Sequence, residues 1–100
     1  MSSVLFTGCQ SDTCDQLCTQ TSDAIRDCLS EWPSTWDDLD ATNYSTFRSS
    51  CRTRWSRVQA DLESREIEDA LEQCDETLSA LNTMQADETV CDQLRAIYIE

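Results

Sequence analysis

The chain of 100 residues contains no histidine, no lysine, one glycine and one proline, and its apolar runs, such as Val4-Leu5-Phe6, are short. Without histidine, the commonest general base and the neutral nitrogen ligand of metals are missing. This excludes histidine-based catalytic triads and zinc sites that contain histidine. A single glycine excludes Gly-rich phosphate loops and leaves few positions for tight hairpin turns. No run of residues is long and apolar enough to span a bilayer. These absences favour a mostly helical domain.

Charge narrows the range of partners. Twenty acidic residues against seven arginines give a net charge of −13. Such a chain as a whole repels duplex nucleic acid and anionic lipid, so we expect no nucleic acid partner and membrane contact only through a lipid anchor. The sequence indicates no cofactor, metal or small-molecule substrate, and leaves a protein partner open. Only carboxylates remain for acid-base chemistry and none stands out by its context, so we expect no enzyme.

Four apolar stripes with helical spacing run along the chain. The first covers about residues 11–31, and the second runs from Tyr44 to Leu62 behind a cap at Thr42 or Asn43. The phase breaks at residues 63–66, where Ser64 can cap a third helix, although a single bent helix is the alternative. The third stripe runs from Ile67 to Leu81, and a short fourth from Val90 to Tyr98. We therefore predict an all-α fold, a small three- to four-helix bundle, with residues 11–100 as a single domain.

Seven cysteines in so small a chain are typical of an oxidising compartment. Six lie on the stripes and predict three disulfides that cross-link the bundle: Cys14, Cys18, Cys28, Cys51, Cys74 and Cys91. A Cys51–Cys74 bridge is geometrically easy across a turn near Ser64, but it requires a strained Cys14–Cys18 link. A second scheme sends all three cysteines of the first helix outward to Cys51, Cys74 and Cys91. Spacing alone does not choose between them.

The seventh cysteine, Cys9, precedes the first stripe. The segment Leu5-Phe6-Thr7-Gly8-Cys9 resembles a bacterial lipobox, in which a short apolar stretch and small residues precede a lipidated cysteine. Using Cys9 for lipid leaves an even number of cysteines for disulfides. We expect residues 1–10 to be a lipobox-like or disordered N-terminal segment and Cys9 to be the lipidation site.

The wider cysteine pattern also carries a resemblance. It consists of Cys14-x3-Cys18-x9-Cys28, Phe47-x3-Cys51-x3-Trp55, Asp69-Ala70-Leu71-x2-Cys74 and Cys91-Asp92-Gln93-Leu94 with Ile97-Tyr98. This pattern is similar to that of small cysteine-rich helical lipoproteins of myxobacterial-type Gram-negative bacteria. The resemblance implies a lipid-anchored or secreted module of the cell envelope, in the periplasm, at the outer membrane or outside the cell. It implies a binding or structural role.

Two surface features are candidates for recognition. Trp32 and Trp36 flank the only proline, and tryptophan is enriched at interface hot spots, although the alternative is that at least one of the two caps the core. Arg48 and Arg52 share one face of the second helix, where pairing with acidic neighbouring helices is the simpler interpretation.

The alternative functions use sulfur. A thiol redox protein would need an exposed cysteine of lowered pKa, for which Cys14 near a helix N-terminus is the candidate. A metal-thiolate site would draw on Cys9, Cys14 and Cys18, although structural zinc sites usually pair two short knuckles. The acidic run Asp37-Asp38-Leu39-Asp40 lacks the glycine and terminal glutamate of a calcium loop, so we expect it to be solvated.

Overall fold

The structure, a computed structural model, describes residues 12–99. The order of elements is α1 (Thr13–Cys28), a 3-10 helix (Trp36–Leu39), α2 (Tyr44–Ala60), α3 (Ser64–Ala86) and α4 (Val90–Tyr98). Within these residues there is no strand. The predicted all-α bundle cross-linked by disulfides is therefore confirmed. The lipobox-like segment at residues 1–10, with Cys9, lies outside the described residues.

Local capping sets where the helices begin. The Asp12 carboxylate accepts the Asp15 backbone N–H at 2.9 Å, and the Asn43 side-chain oxygen accepts that of Thr46 at the same distance. Each satisfies a backbone donor that has no partner inside its helix. Asn43 is thus the cap of α2, whereas Ser64 is the first residue of α3 rather than its cap. The chain turns at residues 61–63, which excludes the single bent helix.

Helix α1 ends at Cys28, three residues before the predicted boundary. Proline disfavours helical backbone at the residue before it, so Pro33 prevents the helix from continuing through Trp32. The following loop contains the 3-10 helix, which the sequence pattern did not predict. The 3-10 helix is capped at its C-terminus by Asp40, whose φ of 60° is left-handed. Aspartate tolerates that region better than most residues.

Helix α1 is the centre of the bundle, because α2, α3 and α4 all pack against it. Ile25 has no exposed surface, and Cys28 beside it is almost fully buried. The principal hydrophobic core gathers around these residues and includes Ala24, Ile25, Cys28, Trp32, Ala41, Phe47, Leu81 and Leu94.

Three disulfides tie α1 to each of the other helices. They join Cys14 to Cys74 on α3, Cys18 to Cys51 on α2, and Cys28 to Cys91 on α4, with Cα–Cα distances of 5.1, 5.8 and 5.3 Å. This is the outward scheme; the Cys51–Cys74 pairing is wrong. The reason is the central position of α1, which places α2 and α3 against the same cysteine-bearing stripe instead of against each other.

Helix α2 has the most regular apolar stripe in the sequence, yet little of that stripe is buried. Only Phe47 on α2 is fully buried, and Val58 farther along is 52% exposed. Since α2 packs chiefly on α1, one side of its stripe faces the space between α2 and the α3–α4 side of the bundle. That space is a concavity with a mainly apolar lining.

Candidate functional site: an apolar groove

All four helices contribute to one half-enclosed cavity of about 380 Å³, here called the apolar groove. Its base comes from α1, one wall from α2, and the opposite wall from α3 and α4. The lining residues are Cys14, Leu17, Cys18, Thr21, Phe47, Cys51, Arg54, Trp55, Cys74, Thr77, Leu81, Met84, Leu94, Ile97 and Tyr98.

The groove is buried at its base and exposed at its rim. Cys14 and Cys18 are each 4% exposed, and Leu94 is buried to the same degree. At the rim, Ile97 is 66% exposed and Tyr98 41%, which is unusual for large apolar or aromatic side chains next to a core. An exposed apolar surface that continues into a concavity is the ordinary form of a ligand site.

Two disulfides form part of the groove lining. Cys14–Cys74 ties the base to the α3 wall, and Cys18–Cys51 ties the base to the α2 wall. Because both bridges are covalent, the two walls keep a fixed separation at these points. The groove is thereby preformed and does not depend on a ligand to hold its shape.

A hydrogen bond fixes the tryptophan of the α2 wall. The Trp55 indole N–H donates to the Asp12 carboxylate at 2.9 Å, and the other oxygen of that carboxylate caps α1. One side chain therefore starts α1 and positions α2 beside it. With its polar edge satisfied by Asp12, Trp55 can present its ring to the groove.

The far end of the groove is aromatic. The rings of Phe47 on α2 and Tyr98 on α4 meet edge-on with centroids 6.1 Å apart, a favourable geometry for aromatic pairs. Burial raises the pKa of the Tyr98 phenol, and the positive charge of Arg54 partly offsets that effect. The Arg54 guanidinium is therefore close enough for its field to act at this end of the groove.

The structure places the two loop tryptophans in different settings, neither of them a free surface. Trp32 is only 5% exposed, and its indole N–H donates to the Cys91 carbonyl at 3.1 Å. Trp32 as a binding-surface residue is therefore wrong, because it belongs to the core. Trp36 is half-buried, and its ring meets that of Tyr44 edge-on and that of Phe47 at a tilt, with centroids 6.2 and 5.4 Å away.

Arg48 and Arg52 engage side chains of this same chain. The Arg52 Nε atom lies 3.6 Å from an Asp15 carboxylate oxygen on α1. The Arg48 guanidinium lies 5.4 Å from the centre of the Tyr44 ring, which also faces Arg26 at 4.9 Å. The Tyr44 hydroxyl donates to Asp23, and this hydrogen bond raises the pKa of the phenol, with burial adding to the rise. These contacts are intramolecular and lie outside the groove.

The positions of the cysteines do not favour the two sulfur-based alternatives, a thiol redox protein and a metal-thiolate site. Cys14 is buried and bonded to Cys74, so the oxidised protein presents no thiolate there for exchange or for metal ligation. At the Cys28–Cys91 bridge, a Glu31 carboxylate oxygen lies 3.5 Å from the Cys91 sulfur, and its negative charge opposes attack by an incoming thiolate. Within residues 12–99 no three cysteines or acidic residues are grouped to hold a metal ion.

Sequence reasoning identified the groove residues as core positions and missed the groove itself. Periodicity assigned Phe47, Trp55 and Leu81 to buried stripes, which gave no sign that the stripes of α2 and α3 face one another across an open space. One signal for the groove was available: α2 combines a regular apolar stripe with four of the seven arginines, so its stripe borders a charged surface. Arg54 and Thr77 carried no signal of their own.

The helices of the described part include none with the length and hydropathy needed to cross a membrane. Comparisons with protein family models, curated proteins and solved structures find no significant match to this chain. Its function is therefore inferred from the residues of the apolar groove.

Proposed function

We propose that this protein is a non-catalytic binding module of the cell envelope or the extracellular space that takes a small apolar ligand in the apolar groove. The observation that carries this proposal is the half-enclosed groove of about 380 Å³, whose base is buried and almost wholly apolar. Small-molecule sites typically occupy about 300–1,000 Å³ and are lined mainly by apolar side chains with a few polar groups.

The polar side chains at the groove favour binding over catalysis. They are the hydroxyls of Thr21, Thr77 and Tyr98 and the guanidinium of Arg54. A catalytic site needs a nucleophile beside a base, or a paired acid and base, at the reacting position. The groove cysteines are bonded to one another as disulfides and cannot act as nucleophiles in the oxidised protein.

The disulfides also support the proposed location. Three bridges in a chain of this size are typical of an oxidising, extracytoplasmic environment. They use every cysteine of residues 12–99, so Cys9 has no partner available there. This parity supports lipidation at Cys9, which would make the protein a lipoprotein of the envelope. Behind a complete export signal, the product is expected to be membrane-associated, and Cys9→Ser is expected to release it.

The binding proposal is tested with Nile red, an uncharged apolar dye whose fluorescence rises in apolar surroundings. The oxidised full chain is expected to bind the dye, and Ile97→Gln is expected to weaken binding by about fivefold, the loss of roughly one buried methylene or a little more. Ile97 suits this test because it lies at the rim and is already 66% exposed, so glutamine, a good helix former, leaves the fold intact.

Val58→Gln is the matched control. Val58 is also a large exposed apolar residue, at 52%, but it lies on α2 outside the groove. It is expected to leave dye binding unchanged. Absence of dye binding to the folded, oxidised protein, or equal weakening by the two substitutions, would contradict the proposal.

A further inference from the structure

The groove lining is unusual in its charge. Twenty of the 100 residues are acidic, yet none of the groove-lining residues in the range 12–99 is Asp or Glu. Arg54, at the exposed rim on α2, is the single charged side chain among the described lining residues. In a protein of net charge −13, this is a local reversal of sign beside a mainly apolar surface.

Arg54 is also available for an external anion. Within residues 12–99 the ion pairs join Arg26 to Asp23 and Asp27, and Arg52 to Asp15. No carboxylate of these residues lies within ion-pair distance of Arg54. Arg52, two residues earlier, lies against Asp15 of α1, whereas Arg54 lines the groove together with Tyr98. Arg54 is thus an exposed positive charge in the groove lining that no carboxylate of residues 12–99 pairs with.

We propose that the ligand of the apolar groove is a single-chain amphiphile with a carboxylate head group, a fatty acid anion, whose carboxylate meets Arg54. This inference rests on the proposed function and names the ligand class. A groove of about 380 Å³ suits one hydrocarbon chain better than the two chains of a membrane phospholipid. A guanidinium matches a carboxylate with two parallel hydrogen bonds, and one arginine balances one negative charge.

The arrangement divides the binding between two parts of the ligand. The chain is held by the base and walls, where Phe47, Leu81 and Leu94 are buried. The head group stays at the rim with Arg54, where water still solvates it. An exposed ion pair contributes little affinity, so we expect Arg54 to select among head groups while the apolar surface provides most of the affinity.

The test displaces Nile red from the oxidised full chain with decanoate and with decanol, which have the same chain length and differ in head-group charge. Decanoate is expected to bind more tightly than decanol. Arg54→Gln is expected to weaken decanoate by about threefold, the scale of an exposed ion pair, and to leave decanol unchanged. Arg54→Lys keeps the charge and is expected to restore part of the preference for decanoate.

Arg57→Gln is the matched control, because it removes the same charge from α2 at an exposed position outside the groove lining. It is expected to leave both affinities unchanged. Equal weakening of decanoate by Arg57→Gln and Arg54→Gln would show a general charge effect and overturn the assignment of Arg54. Circular dichroism of each variant confirms that it is folded.

Two other results would overturn the inference while leaving the proposed function in place. If decanol binds as tightly as decanoate, the groove takes apolar ligands without regard to charge. If decyl phosphate binds more tightly than decanoate and depends on Arg54, the head group is a phosphate. Failure of Nile red itself to bind would instead refute the proposed function, and the fatty acid with it.

Discussion

Removal of the Cys28–Cys91 disulfide is expected to detach α4 while α1, α2 and α3 stay folded together. Helix α4 has nine residues, and isolated helices shorter than about 12–15 residues are marginal in water. The named contacts that hold it are the disulfide, the buried Leu94, the ring contact between Tyr98 and Phe47, and the hydrogen bond from the Trp32 indole to the Cys91 carbonyl. Of these, only the disulfide survives local unfolding of the helix.

The size of the effect follows from the length of chain that the bridge closes. The two cysteines are 63 residues apart, and the chain-entropy relation for a loop of that size gives about 4 kcal/mol at 25 °C. Small domains have a net stability of about 5–15 kcal/mol, so the loss is a large part of the whole. Alanine is the suitable replacement because Cys28 is 1% exposed and packs in the core.

Hydrogen exchange and urea denaturation measure the two parts of this prediction. In Cys28→Ala/Cys91→Ala, the amides of residues 90–99 should lose protection, while those of α2 keep most of theirs. The control is Cys18→Ala/Cys51→Ala, whose cysteines are 33 residues apart; it should lose a little less stability because the entropy depends on the logarithm of loop length. That variant should expose α2 and spare α4.

The reasoning would be refuted if residues 90–99 kept their protection without Cys28–Cys91, or lost it equally in both variants. The first result would mean that packing around Leu94 suffices to hold α4. The second would mean that the bundle unfolds as one unit and that the disulfides act only on its global stability. Because α4 supplies Ile97 and Tyr98, the first variant should also lose Nile red binding if α4 detaches.

Two further predictions concern the backbone and the pH dependence. Glu88 follows the end of α3 with a left-handed φ of 61°, which glycine adopts more easily, so Glu88→Gly should raise the free energy of unfolding by about 1 kcal/mol. Asp87→Gly, at a φ of −85°, should lower it, and urea denaturation that showed the same sign for both would contradict this. Burial raises the pKa of Tyr98 in the folded state above its ordinary 10.0, so the stability that the protonated phenol contributes is complete below pH 10.0 and is lost as the pH rises through the folded pKa. Tyr98→Phe should therefore make the alkaline decline in stability shallower, and an identical decline in the parent protein and the variant would contradict the assignment.

The sequence by itself determined the helices, because their signals are local. Apolar residues at helical spacing marked four segments, and the structure has helices at each of them. Asn43 was one of two predicted caps for α2, and the break in phase near Ser64 marked the start of α3. Each signal depends on residues within one or two turns, so no knowledge of the tertiary fold was needed.

The disulfide pairing was decided by the tertiary structure. Spacing along one helix excludes some pairs, but the partners of Cys14 and Cys18 depend on which helix lies on each side of α1. Cys51 and Cys74 would face each other if α2 and α3 packed as a hairpin. In the structure both helices pack on α1, and each cysteine meets a cysteine of α1 instead.

The groove and the burial of Trp32 were decided in the same way. A stripe of apolar residues shows which side of a helix avoids water, and it does not show whether a neighbouring helix covers all of that side. The sequence indicated that at least one of the two loop tryptophans caps the core, but it did not show which one, or that the Trp32 indole reaches Cys91, 59 residues later in the chain. The apolar groove exists because α2 and the α3–α4 wall pack around α1 without closing over it, a property of helix placement that no local sequence pattern encodes.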